Sequence, residues 1–320
     1  LIKIGAGKTM AINEKSFVKL SANVGMFCHS TNIGVVFSND EIFLIDSGQS
    51  EEDGKLIAET LSSLFPEKKI KAVIQTHSHA DHCGGSLYLK KNLETQIWAS
   101  AESARIMEVP AIIGAIYCGG VSLKEFDIPQ FMPPEPIFTD RILTEEKIEL
   151  DDVFISFYFL PGHFFDQIGI LVQDKSDGIK SFFLGDSFFG IELLKKTWIP
   201  FLCNQKDFRK SVRKIASIKS DFYIPGHGSK CTFATINAFA EINIMVTYEF
   251  ESLILKKIKE GFRTTEELLK AIADYSSIKM KVVPFYLIGT TLRSYLSCLE
   301  HEGQIACEII DNKLIWRTLK

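Results

Sequence analysis

Short apolar runs bounded by turn residues recur along the chain, and the early pair around residue 40 is joined by Asn39 and Asp40. Runs of about four to eight apolar residues predict buried strands. The predicted strands lie in STNIGVVFS, EIFLIDSG, KIKAVIQ, TQIWAS, FISFYFLPG, QIGILVQD, KSFFLGD and DFYIPG. Helical stretches are predicted in EEDGKLIAETLSSLF, at 87–91 and in the basic amphipathic segment KDFRKSVRKIAS. Hairpins followed by strands that alternate with helices favour a layered α/β protein with mixed sheets.

Residues 106–137 depart from this pattern because they are apolar and are interrupted by Pro and Gly. Such a segment between sheet elements is either a packed surface insertion or a lid over a site. We favour the lid, since so many large apolar residues need something to cover.

The chain from about residue 250 has a pattern of its own. FESLILKKIKEG predicts a helix, Thr264 and Glu267 form a capping box for a second, and Gly303 ends a third. QIACEII and KLIWRTL then flank an Asp311-Asn312 turn as a hairpin. Three helices followed by a two-stranded wing are typical of a winged-helix domain. We therefore predict a catalytic domain over 1–248, with the insertion at about 106–137, and a small winged-helix-like domain over 249–320.

Composition narrows the class of protein. The chain of 320 residues is 46% hydrophobic and 24% charged, with a net charge of −4, which is typical of a globular protein and gives no support for coating nucleic acid or binding membranes. No apolar run approaches the ~18 residues of a membrane span. The opening LIKIGAGKTM lacks the charged segment followed by an apolar core that is typical of a signal peptide. The seven cysteines form no CxxC pair, which disfavours a cysteine-based zinc site. We expect a cytoplasmic protein with reduced thiols.

The candidate chemistry is concentrated in QTHSHADHCGG, residues 75–85, which holds three of the seven histidines directly after an apolar strand. His77 and His79 are two residues apart, so an extended loop can aim both imidazoles at one point. Asp81 and His82 follow at a helix start and are turned toward a second point. Zinc binds imidazole nitrogen and carboxylate oxygen, so this loop offers two ligands to each of two ions.

The remaining ligands must come from elsewhere in the chain. His163 in FLPGHFFDQ, Asp186 in FFLGDSF and His227 in FYIPGHG each follow an apolar strand. Asp46 in FLIDSG ends an earlier strand in the same way. Four adjacent ionisable groups beside a buried strand would be costly unless something paired them, which favours a metal site over a structural role.

With these motifs the sequence resembles the metallo-β-lactamase superfamily over about residues 20–230. The resemblance implies a four-layered αβ/βα sandwich with the metals at one edge of its two sheets. It implies a first metal held by His77, His79 and His163, and a second held by Asp81, His82 and His227. Asp186 would bridge the two metals. Asp46 would orient the ligand loop through hydrogen bonds without binding metal.

The expected cofactors are two divalent metal ions, zinc in the first place, with iron or manganese as alternatives. Two such ions ~3.5–4 Å apart lower the pKa of a shared water, and the bridging hydroxide would attack an ester, thioester or lactone carbonyl. Asp81 is the candidate catalytic residue, because it would orient the nucleophile and carry a proton. Phe164 and Phe165 are expected to line an apolar substrate pocket.

Other functions stay open at this point. The resemblance extends to a branch with a C-terminal winged helix, whose members include a single-strand endoribonuclease, so RNA or a phosphodiester is the alternative substrate to a small molecule. An iron-loaded redox protein and a nucleic-acid-binding sensor are hypotheses of another class. Residues 261–320 carry eight Lys and Arg against seven Asp and Glu, a poor footprint for phosphate contacts. We favour a tail that packs on the catalytic domain, caps the pocket or mediates homodimerisation.

Overall fold

The structure, a computed structural model, describes residues 11–129, 131–196 and 198–319. The opening decapeptide, on which the expectation of no leader segment rests, lies outside these residues. No helix in the described part of the chain is long and apolar enough to cross a bilayer.

Two mixed β-sheets form the centre of the molecule. The first runs in chain order through β1 (Phe17–Lys19), β2 (Val24–Phe27), β3 (Ile33–Ser38), β4 (Glu41–Ile45), β5 (Lys69–Ile74), β6 (Gln96–Ala99) and β7 (Arg141–Ile142). Strands β1 to β4 are antiparallel neighbours, and β4 to β7 are parallel neighbours.

The second sheet also follows chain order. It contains β8 (Lys147–Glu149), β9 (Val153–Phe159), β10 (Ile168–Asp174), β11 (Lys180–Gly185), β12 (Phe222–Pro225) and β13 (Cys231–Thr232). Its one parallel pair is β11 with β12. Parallel pairs matter for function because the carboxyl ends of parallel strands meet at one edge of a sheet.

Helices cover both outer faces. The α-helices of the described residues are, in chain order, α1 (Glu51–Leu64), α2 (Ala80–Cys83), α3 (Ser86–Leu93), α4 (Ala101–Glu108), α5 (Ile112–Cys118), α6 (Ile191–Lys196), α7 (Gln205–Ser217), α8 (Ile236–Lys259), α9 (Thr265–Tyr275) and α10 (Val282–His301). A terminal hairpin of β14 (Ile305–Ile310) and β15 (Lys313–Thr318) follows α10.

Three apolar layers hold the sandwich together. Phe43 of the first sheet and Phe183 of the second belong to the core between the sheets. Ile57 and Leu61, one turn apart on α1, pack with α3 and α4 on the outer face of the first sheet. Helices α7 and α8 cover the outer face of the second sheet, for example through Phe208. The predicted four-layered αβ/βα sandwich is therefore confirmed.

The C-terminal segment has the predicted order of helices and hairpin. Helix α8 runs without a break through residues 248 and 249, where the domain boundary is predicted. Thr264 and Glu267 cap α9 reciprocally, since the Thr264 hydroxyl accepts from the Glu267 N–H and the Glu267 carboxylate accepts from the Thr264 N–H. Leu268 and Leu292 share one apolar core with Phe208 of α7, so the tail packs directly on the outer helices of the sandwich.

The insertion at 106–137 is packed and partly helical. It contains the end of α4 and all of α5, and Ile113 and Phe126 are buried in it. They cluster with residues at the start of α10, among them Val283 and Leu287. The insertion and the tail therefore meet each other on one side of the molecule.

Candidate metal centre

The predicted ligands converge at one edge of the sandwich. The loop 75–79 and α2 follow the end of β5, and Asp46 follows β4, the parallel neighbour of β5. Asp186 follows β11, and His227 lies just beyond β12, its parallel neighbour. His163 arrives from the loop after β9. All seven predicted ligands lie in this one cluster.

The first group consists of His77, His79 and His163. The Nδ1 atom of His79 lies 2.9 Å from Nε2 of His77 and 3.0 Å from Nε2 of His163. One nitrogen from each ring therefore faces a common point, and the three nitrogens lie within 4.8 Å of one another. This is the set implied for the first metal.

The second group consists of Asp81, His82 and His227, whose ligand atoms also lie within 4.8 Å of one another. Oδ2 of Asp81 is 3.3 Å from Nε2 of His227. This is the set implied for the second metal.

Asp186 lies between the two groups. Its Oδ2 atom is 3.6 Å from Nε2 of His163 in the first group and 3.5 Å from Nε2 of His227 in the second. Its Oδ1 atom is 3.4 Å from Nε2 of His82. The carboxylate therefore has the position expected of a group that bridges two ions.

Backbone carbonyls determine the orientation of two of the rings. The Nδ1 atom of His163 is 2.8 Å from the carbonyl oxygen of Phe201, and Nδ1 of His227 is 2.6 Å from that of Ser30. A carbonyl oxygen only accepts, so each Nδ1 carries the proton. When these imidazoles are neutral, the lone pair is on Nε2, which faces the centre of the cluster.

Asp46 orients the ligand loop from behind. Its carboxylate accepts from the N–H of Thr76 at 2.8 Å, from the Thr76 hydroxyl at 2.9 Å and from Nδ1 of His82 at 2.8 Å. The Thr76 oxygen is in turn 3.0 Å from Nδ1 of His77. Since the Thr76 hydroxyl donates to Asp46, its oxygen accepts from His77. Both oxygens of Asp46 are thereby engaged away from the point where the ligand nitrogens meet.

Tyr117, like Asp46 and Thr76, contacts a ligand histidine from outside the cluster. The sequence pattern did not predict this residue. Its hydroxyl lies 3.1 Å from Nε2 of His79, on the side of the ring that faces away from the other histidines. Tyr117 is the one tyrosine within 106–137. A tyrosine in an otherwise apolar helix was the available signal, because a buried phenol hydroxyl needs a polar partner.

Burial determines the charge state of the first group. It lowers the pKa of His77, His79 and His163, that of His79 to about 3, and repulsion by neighbouring histidines lowers the first two further. These three rings are therefore neutral near pH 7. Neutral imidazole is the form that binds metal.

Charge pairing dominates the second group. Burial alone would lower the pKa of His82, but the carboxylates of Asp46, Asp186 and Asp81 outweigh it and raise the pKa to about 10. Burial would also lower the pKa of His227. The negative charge of Asp186 outweighs burial and holds this pKa well above its ordinary value. In return the histidines keep the pKa of Asp81 and Asp186 below the usual range despite burial. Binding of a cation here would displace protons from these rings.

Two further observations fit a metal centre. Nε2 of His82 and Oδ1 of Asp186 are buried polar atoms without a hydrogen-bond partner among the described residues. Gly226 approaches them so closely that a Cβ atom there would lie 2.3 Å from Oδ1 of Asp186 and 2.7 Å from Cε1 of His82. Nε2 of His82 and Oδ1 of Asp186 face each other at 3.4 Å as an ion pair without a hydrogen bond. Buried polar atoms that make no hydrogen bond are costly, and a bound ion would satisfy both. The nitrogen and oxygen donors suit zinc, and imidazole equally suits iron.

A cavity of about 530 Å³ opens beside the cluster. His79, Asp81, His163, Asp186 and His227 form its metal end. The rest of its lining is mostly apolar and includes Tyr117, Phe131, Phe189, Phe201, Val283 and Leu287. The last two belong to α10, so the tail contributes to this cavity.

Phe164 and Phe165, predicted for the substrate pocket, are placed elsewhere by the structure. Phe164 is fully buried, with its ring centroid 4.4 Å from that of His79. Phe165 is 45% exposed. Neither of these two residues belongs to the cavity lining, because the chain turns one ring under the ligand loop and the next toward solvent.

The sequence of the chain is similar to that of a known protein family and of two named proteins. Residues 26–227 match the family model described as the metallo-beta-lactamase superfamily. The chain is 28% identical over 171 residues to hydroxyacylglutathione hydrolase GloC of Haemophilus influenzae, over 51% of this chain and 71% of that protein. It is 27% identical over 213 residues to atrochrysone carboxyl ACP thioesterase of Aspergillus fumigatus, over 66% of this chain and 55% of that protein.

Solved structures extend the similarity into the tail. A beta-lactamase domain protein from Burkholderia ambifaria has a TM-score of 0.71 at 11% identity, over 99% of this chain and 96% of its own. A metallo-beta-lactamase family protein from Thermus thermophilus has a TM-score of 0.69 at 15% identity, over 95% of this chain and 97% of its own. At these identities the likeness shows a shared fold.

Proposed function

The chain belongs to the metallo-beta-lactamase superfamily. On that premise we propose that it is a hydrolase with two metal ions, zinc in the first place, that cleaves an ester, thioester or lactone bond of a small-molecule substrate. The observation that carries the proposal is the position of Asp186 between two ligand groups, at the end of an apolar cavity. Metal-dependent hydrolysis is the chemistry of the family. The number and identity of the ions and the substrate are the proposal.

Two divalent ions bound by these residues would lower the pKa of a bound water and polarise the substrate carbonyl. Asp81 is the candidate to accept and release the proton, because it lines the cavity and its side chain is 24% exposed. In hydrolysis the water oxygen bonds to the acyl carbon, and the bond from that carbon to sulfur or oxygen breaks. Its electron pair stays with the leaving atom, which takes up the proton that Asp81 received from the water.

The walls of the cavity support a carbonyl substrate over a nucleic acid. Apolar side chains stabilise a bound acyl group. Binding of RNA among them would remove water from its phosphates, at a large cost in free energy. The two curated relatives are named for hydrolysis of thioesters, which agrees with this chemistry. A small-molecule substrate is therefore part of the proposal.

A substrate panel tests the proposal. The protein is loaded with zinc, manganese or iron and is given an acyl thioester, a lactone, an activated phosphodiester and single-stranded RNA. We expect hydrolysis of the thioester or lactone. Asp81→Ala should lower kcat/KM about 10²–10⁴-fold, the usual contribution of acid–base catalysis.

Because Asp81 is also a predicted ligand, rates are compared at equal metal content, determined by elemental analysis. Asp274→Ala, which changes an exposed aspartate on α9, is the matched control and should leave the rate unaffected. Undiminished thioester hydrolysis by metal-matched Asp81→Ala would overturn the proposed role of Asp81. Cleavage of RNA or the phosphodiester alone would overturn the substrate class.

A further inference from the structure

The cavity beside the metal centre is lined by segments that lie far apart in the chain. Tyr117 belongs to the insertion, Phe201 to the loop before α7, and Leu287 to α10. The first half of α10 therefore forms one wall of the cavity, from Val282 at its start to Thr291. The tail is thus positioned to select what enters.

Charge is nearly absent from this cavity. Apart from the metal end, the charged lining residues in the described parts of the chain are Glu125 and Lys281, which are both exposed and have opposite signs. Along the walls a polyanion would meet a single cation, Lys281, which Glu125 offsets. An apolar group would meet side chains such as Ile288, which is buried at 4% exposure.

We propose that this cavity binds the acyl group of the substrate, and that this group is a large apolar one, an aliphatic chain or an aromatic ring system. The inference rests on the proposed function, since it assigns the two sides of the cleaved bond. Biological thiols that carry acyl groups are polar, and burying their amides or phosphates here would leave hydrogen bonds unmade. The acyl side is the part that an apolar cavity can bury.

The size and lining of the cavity determine the expected specificity. A volume of about 530 Å³ lies within the range of small-molecule sites. Transfer of each methylene from water to an apolar wall should raise kcat/KM about fourfold until the cavity is filled. Hydrolysis releases the acyl group as a carboxylic acid, whose carboxylate would remain at the metal end.

The first experiment compares acetyl, hexanoyl and decanoyl thioesters of one small thiol, using the full chain loaded with metal. We expect kcat/KM to rise at least 100-fold from acetyl to decanoyl. Equal kcat/KM across the series would overturn the inference and leave the proposed function intact.

A variant links this preference to the tail. Val282 lines the cavity and is 39% exposed, so Val282→Trp should narrow the cavity without disturbing the core. We expect the ratio of decanoyl to acetyl kcat/KM to fall at least tenfold. Val109→Trp, a matched change at a valine that is 50% exposed and outside the lining, should keep the wild-type ratio. The same ratio in Val282→Trp and wild type would show that the tail does not contribute to the preference for long acyl groups.

Binding gives a readout independent of turnover. Decanoate should raise the Tm of the metal-loaded protein at concentrations at which acetate does not, and Val282→Trp should lose this shift. If wild type hydrolyses no ester, thioester or lactone, the proposed function fails. Decanoate binding then decides the inference: a shift lost in Val282→Trp supports an apolar acyl site, and no shift overturns it.

Discussion

The hydroxyl of Tyr117 lies 3.1 Å from Nε2 of His79, while Nδ1 of the same ring faces His77 and His163. Burial raises the pKa of Tyr117 well above its ordinary value, so the side chain stays a neutral phenol. If Nδ1 of His79 presents its lone pair to an ion, Nε2 carries the proton and donates it to the Tyr117 oxygen. The insertion is therefore linked to the first ligand group by a hydrogen bond as well as by packing.

Tyr117→Phe should weaken metal binding at the first group about 10–100-fold, the usual effect of removing a partner that orients a metal-bound histidine. Competition with a chromophoric chelator measures the affinity. Tyr286→Phe is the control, because Tyr286 belongs to the same apolar cluster and has no described bond to a ligand. Equal affinities in wild type and Tyr117→Phe would mean that the hydrogen bond does not position His79.

Gly226→Ala should displace Asp186. The new Cβ atom would lie 2.3 Å from Oδ1 of Asp186, so either the carboxylate or the end of β12 must move. We expect metal content per chain to fall by at least half, measured by elemental analysis of the purified protein. Gly120→Ala adds the same methyl group where nothing lies within 4 Å and should keep the wild-type metal content. Full metal occupancy in Gly226→Ala would contradict a bridging position for Asp186.

The apolar runs predicted a layered α/β protein with mixed sheets, whereas the resemblance to the metallo-β-lactamase superfamily implied the four-layered sandwich and the grouping of the ligands. Strands buried between two layers are continuous apolar runs, such as IGVVFS of β3, and a polar residue directly after such a run stands out. His77, Asp186 and His227 all stand out in this way. Parallel pairing of β11 with β12 brings Asp186 and His227 to one edge of the second sheet, and packing of the two sheets against each other brings that edge to the His77 loop.

What the sequence did not predict depends on contacts between distant segments. Strand β2 contains Gly25, whose missing side chain makes room for the ring of Phe17 on β1, and no local pattern reveals that pairing. Helix α5 looks like a loop because Pro and Gly flank it, and it is stabilised by packing against α10. Phe164 and Phe165 are equivalent in the sequence, and only the turn after β9 separates a buried ring from an exposed one.

Asp46→Ala should destabilise the fold by about 3–5 kcal/mol, because it leaves the Thr76 N–H, the Thr76 hydroxyl and Nδ1 of His82 without their acceptor. Its backbone is left-handed, at φ 62°, which alanine tolerates less well than aspartate does. Asp46→Asn should lose less, since asparagine keeps one acceptor and tolerates this conformation. Urea unfolding measures the free energies.

Asp311→Ala separates the backbone effect from the hydrogen bonds. Asp311 is exposed in the β14–β15 turn at φ 49°, so its replacement should cost about 1 kcal/mol of conformational strain. Similar losses of unfolding free energy in Asp46→Ala and Asp311→Ala would show that the hydrogen bonds of Asp46 contribute little.

Removal of metal should lower the Tm, because the ligands converge only in the folded chain and an ion that binds the native state stabilises it by mass action. At a free ion concentration 100 times the Kd, each site adds about 2.7 kcal/mol, which corresponds to roughly 4 °C in a chain of this size. Calorimetry of chelator-treated and reloaded protein measures the shift. His163→Ala should lose much of this Tm shift, because the first group then retains two donors. His301→Ala is the control: it removes a 79% exposed histidine outside the cluster and should keep the full shift. Elemental analysis confirms that the reloaded protein contains metal. If its Tm then equals that of the metal-free protein, metal binding at the cluster does not stabilise the fold.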